Sequence, residues 1–227
     1  MNNLIPTDYR GFAIHKKNLH AYEESTVLVS ASLASIPYVV VSSEKDVKSD
    51  MIPVGDIKFI QGVLGYKVKP NYYTFESLLK RNIWYTDEWP LGRKVFIKPA
   101  DEYKRFTGFV TNGGYRRKKR GPYVCSDVIK VKNEWRYYLG SELEQGFWYA
   151  GQDECKDSPA LESFGIDFSG LYGCLDMGEC EDGSIVLIEY QHAFSCGWYG
   201  KGIKDGEKYA KWIAYGYADM VKSKVKE

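Results

Sequence analysis

The alternation of apolar and polar positions predicts short strands in the first quarter of this chain. Two apolar runs between residues 26 and 43, TVLVSASL and PYVVVSS, have the composition of strands. A third strand is predicted in IPVGDIKFIQGVLG, where alternation would place Ile57, Phe59 and Gln61 on one face. In TFESLLKRNIW the apolar spacing instead predicts a helix over about 74–83, with Thr74 as its N-cap.

From Lys94 onward the pattern is β-rich. The runs KVFIKP, FTGFV, YVCSDVIKV and EWRYYLG are separated by Gly and Pro, and LYGCLDMGECEDGSIVLIEYQ contains two strands around a turn. The interval 149–169 is loop-like or begins a short helix. An amphipathic C-terminal helix is predicted to pack beneath the preceding sheet. Its apolar positions are Tyr209, Trp212, Ile213, Met220, Val221 and Val225.

These elements predict an α+β fold. We expect a small N-terminal α/β lobe over residues 1–90 and a larger, β-rich region over residues 91–227. No internal repeat and no low-complexity segment is found.

Composition narrows the classes of function. The 31 Lys and Arg residues against 30 Asp and Glu give a net charge of +1, which provides no overall field for steering onto nucleic acid or an anionic membrane. The five cysteines form no C-x-x-C pair and follow no secretory signal, so a reducing, cytoplasmic location is expected. No apolar run approaches the ~18 residues of a membrane helix. Neither a membrane nor a nucleic acid is expected as a partner.

One hairpin brings carboxylates together. A two-residue turn at Asp182-Gly183 would place Asp176 opposite Glu189, with Gln191 on the same face. These oxygen donors suit Mg²⁺, which takes one or two carboxylates and completes its shell with water and phosphate. The alternative is a solvated face paired with lysines. A turn longer by one residue would send the two carboxylates to opposite faces.

Three basic residues could hold phosphates. Lys98 ends the apolar run VFIKP, and Lys104 follows six residues later in a short connection. In EWRYYLG, Arg136 lies on the face opposite Trp135 and Tyr137, so it could point at a ligand while the aromatic face is buried. The alternatives are two solvated lysines and an arginine paired with a carboxylate.

Two charged segments admit several interpretations. The run RRKKR at 116–120 could bind RNA or DNA, could cover phosphates as a mobile loop, or could be a solvated hairpin tip. The acidic residues within 140–170 could meet a cationic amine or could be exposed acids without a specific role. They are Glu142, Glu144, Asp153 and Glu154.

Taken in order, several stretches resemble the ATP-grasp superfamily, especially its clade named for one arginine and two lysines, found among bacterial and phage proteins. They are IPVGDIKFIQGVLG, LLKRNIW, VFIKPADEYKRFTGFV, CSDVIKVKNEWRYYLG, LDMGECEDGSIVLIEYQHA and GWYG, and together they span about residues 50–200. The resemblance implies an ATP-grasp fold, in which two α+β lobes hold ATP between antiparallel sheets, preceded by the small N-terminal α/β segment.

The resemblance also implies roles for the basic residues. Lys98 and Lys104 would contact the phosphates of ATP, and Arg136 would lie near the γ-phosphate, which makes Lys104 and Arg136 the expected catalytic residues. The segment 126–128 would hold adenine through backbone hydrogen bonds. It consists of Ser126, Asp127 and Val128.

By the same resemblance, Asp176 and Glu189 would be the magnesium carboxylates. Gln191 stands where the usual E-x-N pattern has asparagine, and His192 replaces a frequent acidic residue. Gln keeps the amide oxygen but moves it one methylene outward, so either the magnesium geometry is looser or a water intervenes.

The implied activity is an ATP-dependent ligase. ATP with Mg²⁺ would activate a small-molecule or peptide carboxylate as an acylphosphate, which an amine or related nucleophile then attacks. The resemblance also implies a homodimer. Two alternatives stay open: a small-molecule kinase built on the same residues, and a nucleotide- or nucleic-acid-binding module that has lost ATPase activity.

Overall fold

The N-terminal part of the chain forms a parallel sheet with two helices. The computed structural model describes residues 4–68, 72–114, 120–143, 145–154 and 156–224. The sheet has the order β2-β1-β3. Its elements are β1 (Gly11–His15), α1 (Tyr22–Leu33), β2 (Tyr38–Val41), β3 (Met51–Val54) and α2 (Ile57–Leu64).

The first predicted strand, TVLVSASL, is wrong, because these residues lie within α1. Strands β1 and β2 are parallel, and a parallel pair needs a crossover that a helix supplies. One face of α1 is buried through Val27 and Ala31, whereas Val29 and Leu33 are exposed. The topology of the sheet therefore decided that this run is a helix, although its β-branched residues favour a strand.

The third predicted strand is correct only at its start. β3 ends at Val54, and α2 begins at Ile57 after a helix cap, because the Asp56 carboxylate accepts a hydrogen bond from the Phe59 N–H at 3.0 Å. Gly65 ends α2 in the left-handed conformation, with φ of 70°. Asp56 and Gly65 are recognisable in the sequence as signals for the start and the end of a helix. The strand was predicted because the apparent alternation of residues 57–61 was given more weight.

The middle sheet has the order β4-β7-β5-β6 and is antiparallel. Its strands are β4 (Ile83–Thr86), β5 (Val95–Pro99), β6 (Phe109–Thr111) and β7 (Tyr123–Ser126). The predicted helix over 74–83 is wrong. Only one 3-10 turn, Glu76–Leu78, forms there, Lys80 has a positive φ of 46°, and Ile83 already pairs with Ser126.

The third sheet is antiparallel with the order β11-β10-β8-β9. Its strands are β8 (Val131–Leu139), β9 (Phe147–Gly151), β10 (Gly173–Cys180) and β11 (Ile185–His192). Residues 149–169 were predicted to be a loop or the start of a short helix. Residues 149–151 instead belong to β9, whereas the 3-10 turn Leu161–Phe164 agrees with the predicted short helix.

The C-terminal helix α3 (Ile203–Lys224) packs against this sheet and against α1. Trp212 Nε1 donates to the Leu139 carbonyl at 2.7 Å, and Tyr209 and Trp212 are fully buried. The predicted amphipathic helix is confirmed, although Val225 lies outside the described residues. One apolar cluster joins β1, α1, the third sheet and α3, so the N-terminal lobe is seated on the third sheet.

The architecture confirms the α+β prediction. Strand β4 precedes residue 90 and belongs to the middle sheet, while the division into residues 1–90 and 91–227 stays a prediction. Within the described part of the chain, no helix combines the length and the apolar character that crossing a bilayer requires.

Candidate functional site

Asp176 and Glu189 are direct partners across β10 and β11, as the sequence predicts. The route to that pairing differs, however. The Cys180 N–H donates to the Ser184 carbonyl at 2.8 Å, so the turn holds residues 181–183 rather than two residues. The longer turn shifts the pairing near the tip. A β-bulge that leaves Ile188 without an opposite residue shifts it back before the carboxylates are reached.

Arg81 holds this bulge in place. Its Nη1 donates to the Leu187 carbonyl at 2.6 Å, and its Nη2 donates to the Ile188 carbonyl at 3.3 Å. The guanidinium therefore provides a charged hydrogen-bond donor for two backbone carbonyl groups at the bulge. Sequence reasoning missed Arg81, because a single arginine before a strand carries no local signal for a contact with a distant bulge.

A row of alternating charges crosses the third sheet and continues into the middle sheet. Arg136 of β8 pairs in register with Asp176 of β10, and its Nε and Nη2 donate to the two carboxylate oxygens at 2.7 Å each. Next in the row, Glu189 of β11 accepts a hydrogen bond from Lys98 Nζ at 2.5 Å. Arg136, Asp176 and Lys98 are each at most 6% exposed. The carboxylates thus pair with cations in a buried cluster, and the solvated alternative does not apply.

Lys104 reaches the same cluster from the connection after β5. Its ammonium group donates to Gln191 Oε1, and Gln191 shares a face with Glu189. The backbone at Lys104 is left-handed, with φ of 45°. That conformation is uncommon outside glycine, so the surrounding structure must hold it.

Burial and charge oppose each other throughout this cluster. Burial lowers the pKa of Lys98 and of Lys104, although Glu189 opposes the change. Burial by itself would raise the pKa of Glu189, but Lys98 and Lys104 hold it below its ordinary value. Burial likewise raises the pKa of Asp176 against the pull of Arg136. With three cations and two carboxylates, the five groups carry an excess positive charge when ionised, which suits an anionic ligand.

Tyrosine rings enclose the lysines. Lys98 Nζ lies 3.6 Å from the centroid of the Tyr72 ring and 4.9 Å from that of Tyr73. The Tyr72 carbonyl accepts a hydrogen bond from the Tyr190 N–H at 2.8 Å, so residue 72 lies along the free edge of β11. Sequence reasoning did not single out these rings, because the chain has 19 tyrosines and none carries a positional signal.

Arg136 has its own aromatic contacts. The Tyr149 and Tyr199 rings are stacked at 4.8 Å, and the guanidinium carbon lies 5.6 and 4.9 Å from their centroids. Arg136 Nη1 also donates to the Gly197 carbonyl at 3.1 Å. The guanidinium is thereby fixed in one orientation.

The segment predicted to hold adenine connects the middle sheet to the third sheet. Ser126 ends β7, and residues 127 and 128 lead toward β8. The Asp127 carboxylate accepts hydrogen bonds from Asn82 Nδ2 at 2.6 Å and from Arg93 Nη2 at 2.9 Å. An open cleft of about 800 Å³ lies beside this connection, with Asp127, Tyr73 and Arg81 in its lining. The segment thus lies at the connection between two sheets, and its role in binding adenine stays a prediction.

The donor set fits a magnesium ion that arrives with a nucleotide. Across the described ranges no cluster of three or more His, Cys, Asp or Glu residues could hold a metal. The cluster offers two carboxylates, Asp176 and Glu189, and the amide oxygen of Gln191. Mg²⁺ bound by one or two carboxylates needs phosphate oxygens and water to complete six ligands. The ligand roles of these three residues stay predictions.

Most of the basic run lies outside the described residues, which omit 115–119. Arg120 is described and exposed. The three interpretations of this run therefore stay open.

Solved structures share this fold at low sequence identity. N5-carboxyaminoimidazole synthase from Aspergillus clavatus, in complex with ADP and 5-aminoimidazole ribonucleotide, is 12% identical with a TM-score of 0.56, covering 92% of this chain and 77% of that one. An ATP-grasp RimK domain protein from Sphaerobacter thermophilus is 11% identical with a TM-score of 0.54, covering 92% and 99%. D-cycloserine synthetase DcsG is 11% identical with a TM-score of 0.52, covering 91% and 99%. At such identities the likeness shows the fold alone.

No match was found among curated protein sequences. A family of ATP-grasp domains, the second family of the clade named for one arginine and two lysines, matches residues 78–211. That range is more than half of the chain and contains all of the predicted site residues. The resemblance drawn from the ordered motifs is thereby confirmed. The chain belongs to this second family of the arginine-and-two-lysine clade of ATP-grasp domains.

Proposed function

We propose that this protein is a Mg-ATP-dependent ligase that activates a carboxylate as an acylphosphate and joins it to an amine or a related nucleophile. The proposal is carried by one observation. In a chain of ATP-grasp type, Lys98, Glu189, Asp176 and Arg136 form one buried row of charges, and Lys104 reaches the same place.

Binding of ATP would exchange the partners within this row. The phosphate oxygens would bind Lys98 and Arg136, which now pair with carboxylates, and Lys104, which now donates a hydrogen bond to the amide of Gln191. Asp176 and Glu189, released from their cations, would hold the magnesium ion, which would neutralise the charge on the phosphates. The exchange keeps every buried charge paired, which is the condition for burying so many of them.

The nucleotide would fit in the cleft that lies beside Tyr73, next to Lys98. Tyr73 contacts Lys98 and also lines the cleft of about 800 Å³ beside residue 127. Adenine in that cleft would lie next to the segment 126–128, with the phosphates directed toward Lys98. The lining also contains Tyr85 and Ile83, which offer flat and apolar surface among several charged and polar side chains.

The proposed chemistry needs positioning and charge neutralisation more than a protein nucleophile. A substrate carboxylate oxygen would attack the γ-phosphorus, and ADP would leave. The amine would then attack the acyl carbon and release inorganic phosphate, with formation of a C–N bond. Lys104 and Arg136 would stabilise the charge that develops on the transferred group.

A product screen tests this proposal. The protein is incubated with Mg-ATP and pools of amino acids, polyamines and small carboxylic acids, and ADP and new masses are followed. We expect ADP to form only when a carboxylate and an amine are both present, together with a product whose mass equals their sum less one water. A stable phosphorylated product without an amide would point to a kinase, and a chain that neither binds nor turns over ATP would refute both activities.

Three substitutions test the residues of the row. Lys98→Ala, Arg136→Lys and Glu189→Gln are each expected to lower ATP turnover by about 100-fold or more, because each removes a group held at the phosphates or the metal. Thermal melts confirm that each variant is folded. The matched controls carry comparable changes at exposed positions: Lys130→Ala, Arg10→Lys and Glu162→Gln. Wild-type turnover in any two of the three row variants would defeat the assignment.

A further inference from the structure

A second cleft, of about 470 Å³, lies between the N-terminal lobe and the charged row. The first turns of α1 and α2 form one wall, and the segments after β5 and after β11 form the other. The lining includes Glu23, Glu24, Asp56, Lys104 and Gly197. Since Lys104 is also part of the charged row, the cleft opens directly onto the proposed phosphate site.

The most buried acid of this cleft lacks a counter-charge. Glu24 is 6% exposed, and its Oε2 has no hydrogen-bond partner among the residues that the structure describes. A buried carboxylate oxygen without a partner is costly, and such groups are normally satisfied by protein, water or a ligand. Glu23, the preceding residue of the helix, accepts a hydrogen bond on one carboxylate oxygen from the Trp198 N–H at 3.2 Å.

The basic residues around this cleft do not supply the missing charge. Lys17 has a side chain that is 73% exposed and pairs with Asp56 at 3.5 Å. Lys58 is exposed, and Lys104 donates to Gln191. The cleft is therefore acidic at Glu23 and Glu24, while Lys17 and Lys58 lie exposed at its rim.

The acidic end of the cleft meets Arg136 at Gly197. A carbon placed at the Cβ position of Gly197 would lie 2.8 Å from Glu23 Oε1 and 3.5 Å from Arg136 Nη1. Glu23 and Arg136 thus flank a single point. A group held by the acidic residues would lie beside the place where an acylphosphate would form.

We propose that this cleft is the site of the amine substrate and that Glu24 and Glu23 bind its primary ammonium group. The inference rests on the proposed function and names the class of the acceptor: a small molecule or chain end carrying a primary amine.

The electrostatics of the cleft agree with that assignment. Burial raises the pKa of Glu24 to about 7, and the carboxylates of Glu23 and Asp56 add to the rise. An incoming ammonium group would stabilise the ionised form of Glu24 and displace its proton. Before attack on the acyl carbon, the bound ammonium group would pass one proton to this carboxylate and so free the lone pair of its nitrogen. The N-terminus of α1 favours negative charge in its first turn, which helps both glutamates to ionise around a cation.

Two of the four acidic residues that the sequence suggested for binding an amine form ion pairs outside this cleft. Glu142 pairs with Lys211, and Asp153 pairs with Lys132. Glu154 is exposed, and residue 144 lies outside the described ranges.

Ligand titrations monitored by NMR test the inference without any turnover. The probes are butylamine and 1,4-diaminobutane as cations, and 1-butanol as a neutral analogue of similar shape. We expect both amines to bind the wild-type chain and 1-butanol to bind far more weakly, because the cleft selects the charge. Glu24→Gln and Glu23→Gln should each weaken amine binding by about tenfold or more, whereas the exposed control Glu162→Gln should bind as the wild type does.

The two glutamate variants keep the test decisive if one of them folds poorly. Absence of amine binding to the wild-type chain, equal binding of 1-butanol, or unchanged amine affinity in both glutamate variants would overturn the inference. ATP affinity of the wild-type chain is measured in parallel. ATP binding without amine binding removes this inference alone, whereas amine binding without ATP binding removes the proposed ligase and leaves a cation site.

Discussion

Replacing Glu24 by glutamine is expected to change how stability depends on pH. The pKa of this carboxyl is raised from 4.5 to about 7 in the folded chain, because burial disfavours the charged form. The folded state therefore binds the proton more tightly than the unfolded state does. Stability that is present below pH 4.5 is lost as pH rises from 4.5 toward 7, and the loss is complete above 7.

The size of that loss follows from the two pKa values. The interval from 4.5 to about 7, at about 1.4 kcal/mol for each pKa unit, corresponds to about 3–4 kcal/mol. Glutamine does not titrate, so Glu24→Gln should escape the loss. The unfolding free energy of the variant relative to the wild type should increase between pH 5 and pH 8 by most of this amount.

Urea unfolding of the ligand-free protein measures the effect. Curves for the wild type, Glu24→Gln and the exposed control Glu162→Gln are recorded at pH 5 and pH 8. Comparing each variant with the wild type at the same pH isolates the effect of residue 24, because the other charged groups of the cleft, Glu23, Asp56, Lys17, Lys58 and Lys104, are present in both chains. A difference between Glu24→Gln and the wild type that is the same at both pH values, or that shrinks as pH rises, would refute the reasoning.

Two further predictions concern the buried polar contacts. Asp176→Asn should lower the unfolding free energy by about 3–5 kcal/mol, because Arg136 would be left buried without its carboxylate; adding Arg136→Met should recover part of that loss, and no recovery in urea melts would contradict the pairing argument. Arg81→Met should cost about 2 kcal/mol in the same assay, since the carbonyls of Leu187 and Ile188 lose a charged donor; a wild-type midpoint would show that the bulge does not depend on Arg81.

The hairpin shows how far local pattern reaches. Alternation along each strand identified Asp176 and Glu189 as residues that could share a face, and the structure pairs them. The predicted turn was one residue too short, and the bulge at Ile188 corrected the register. The sequence near the turn does not predict that bulge, because the side chain that stabilises it, Arg81, lies more than 100 residues away in the sequence.

Two of the failed helix and strand assignments have a common physical cause. The run TVLVSASL has the composition of a strand, but the parallel pairing of β1 with β2 requires a helical crossover there. The segment 74–83 has helical spacing, but Ile83 gains a partner strand in β7. In both cases tertiary pairing outweighed the weak intrinsic preference of the local sequence.

Motifs in a fixed order were enough to identify the family and the charged residues that the strands carry. The pairing of those charges depends on how the sheets pack. Lys98 meets Glu189 across 91 positions, and Arg136 meets Asp176 across 40. Packing also decided that Glu24 is buried beside a cleft, which no local pattern indicated. The physical reason is that periodicity reports the face on which a side chain lies, whereas its charge partner and its exposure to water depend on which sheets and helices pack around that face.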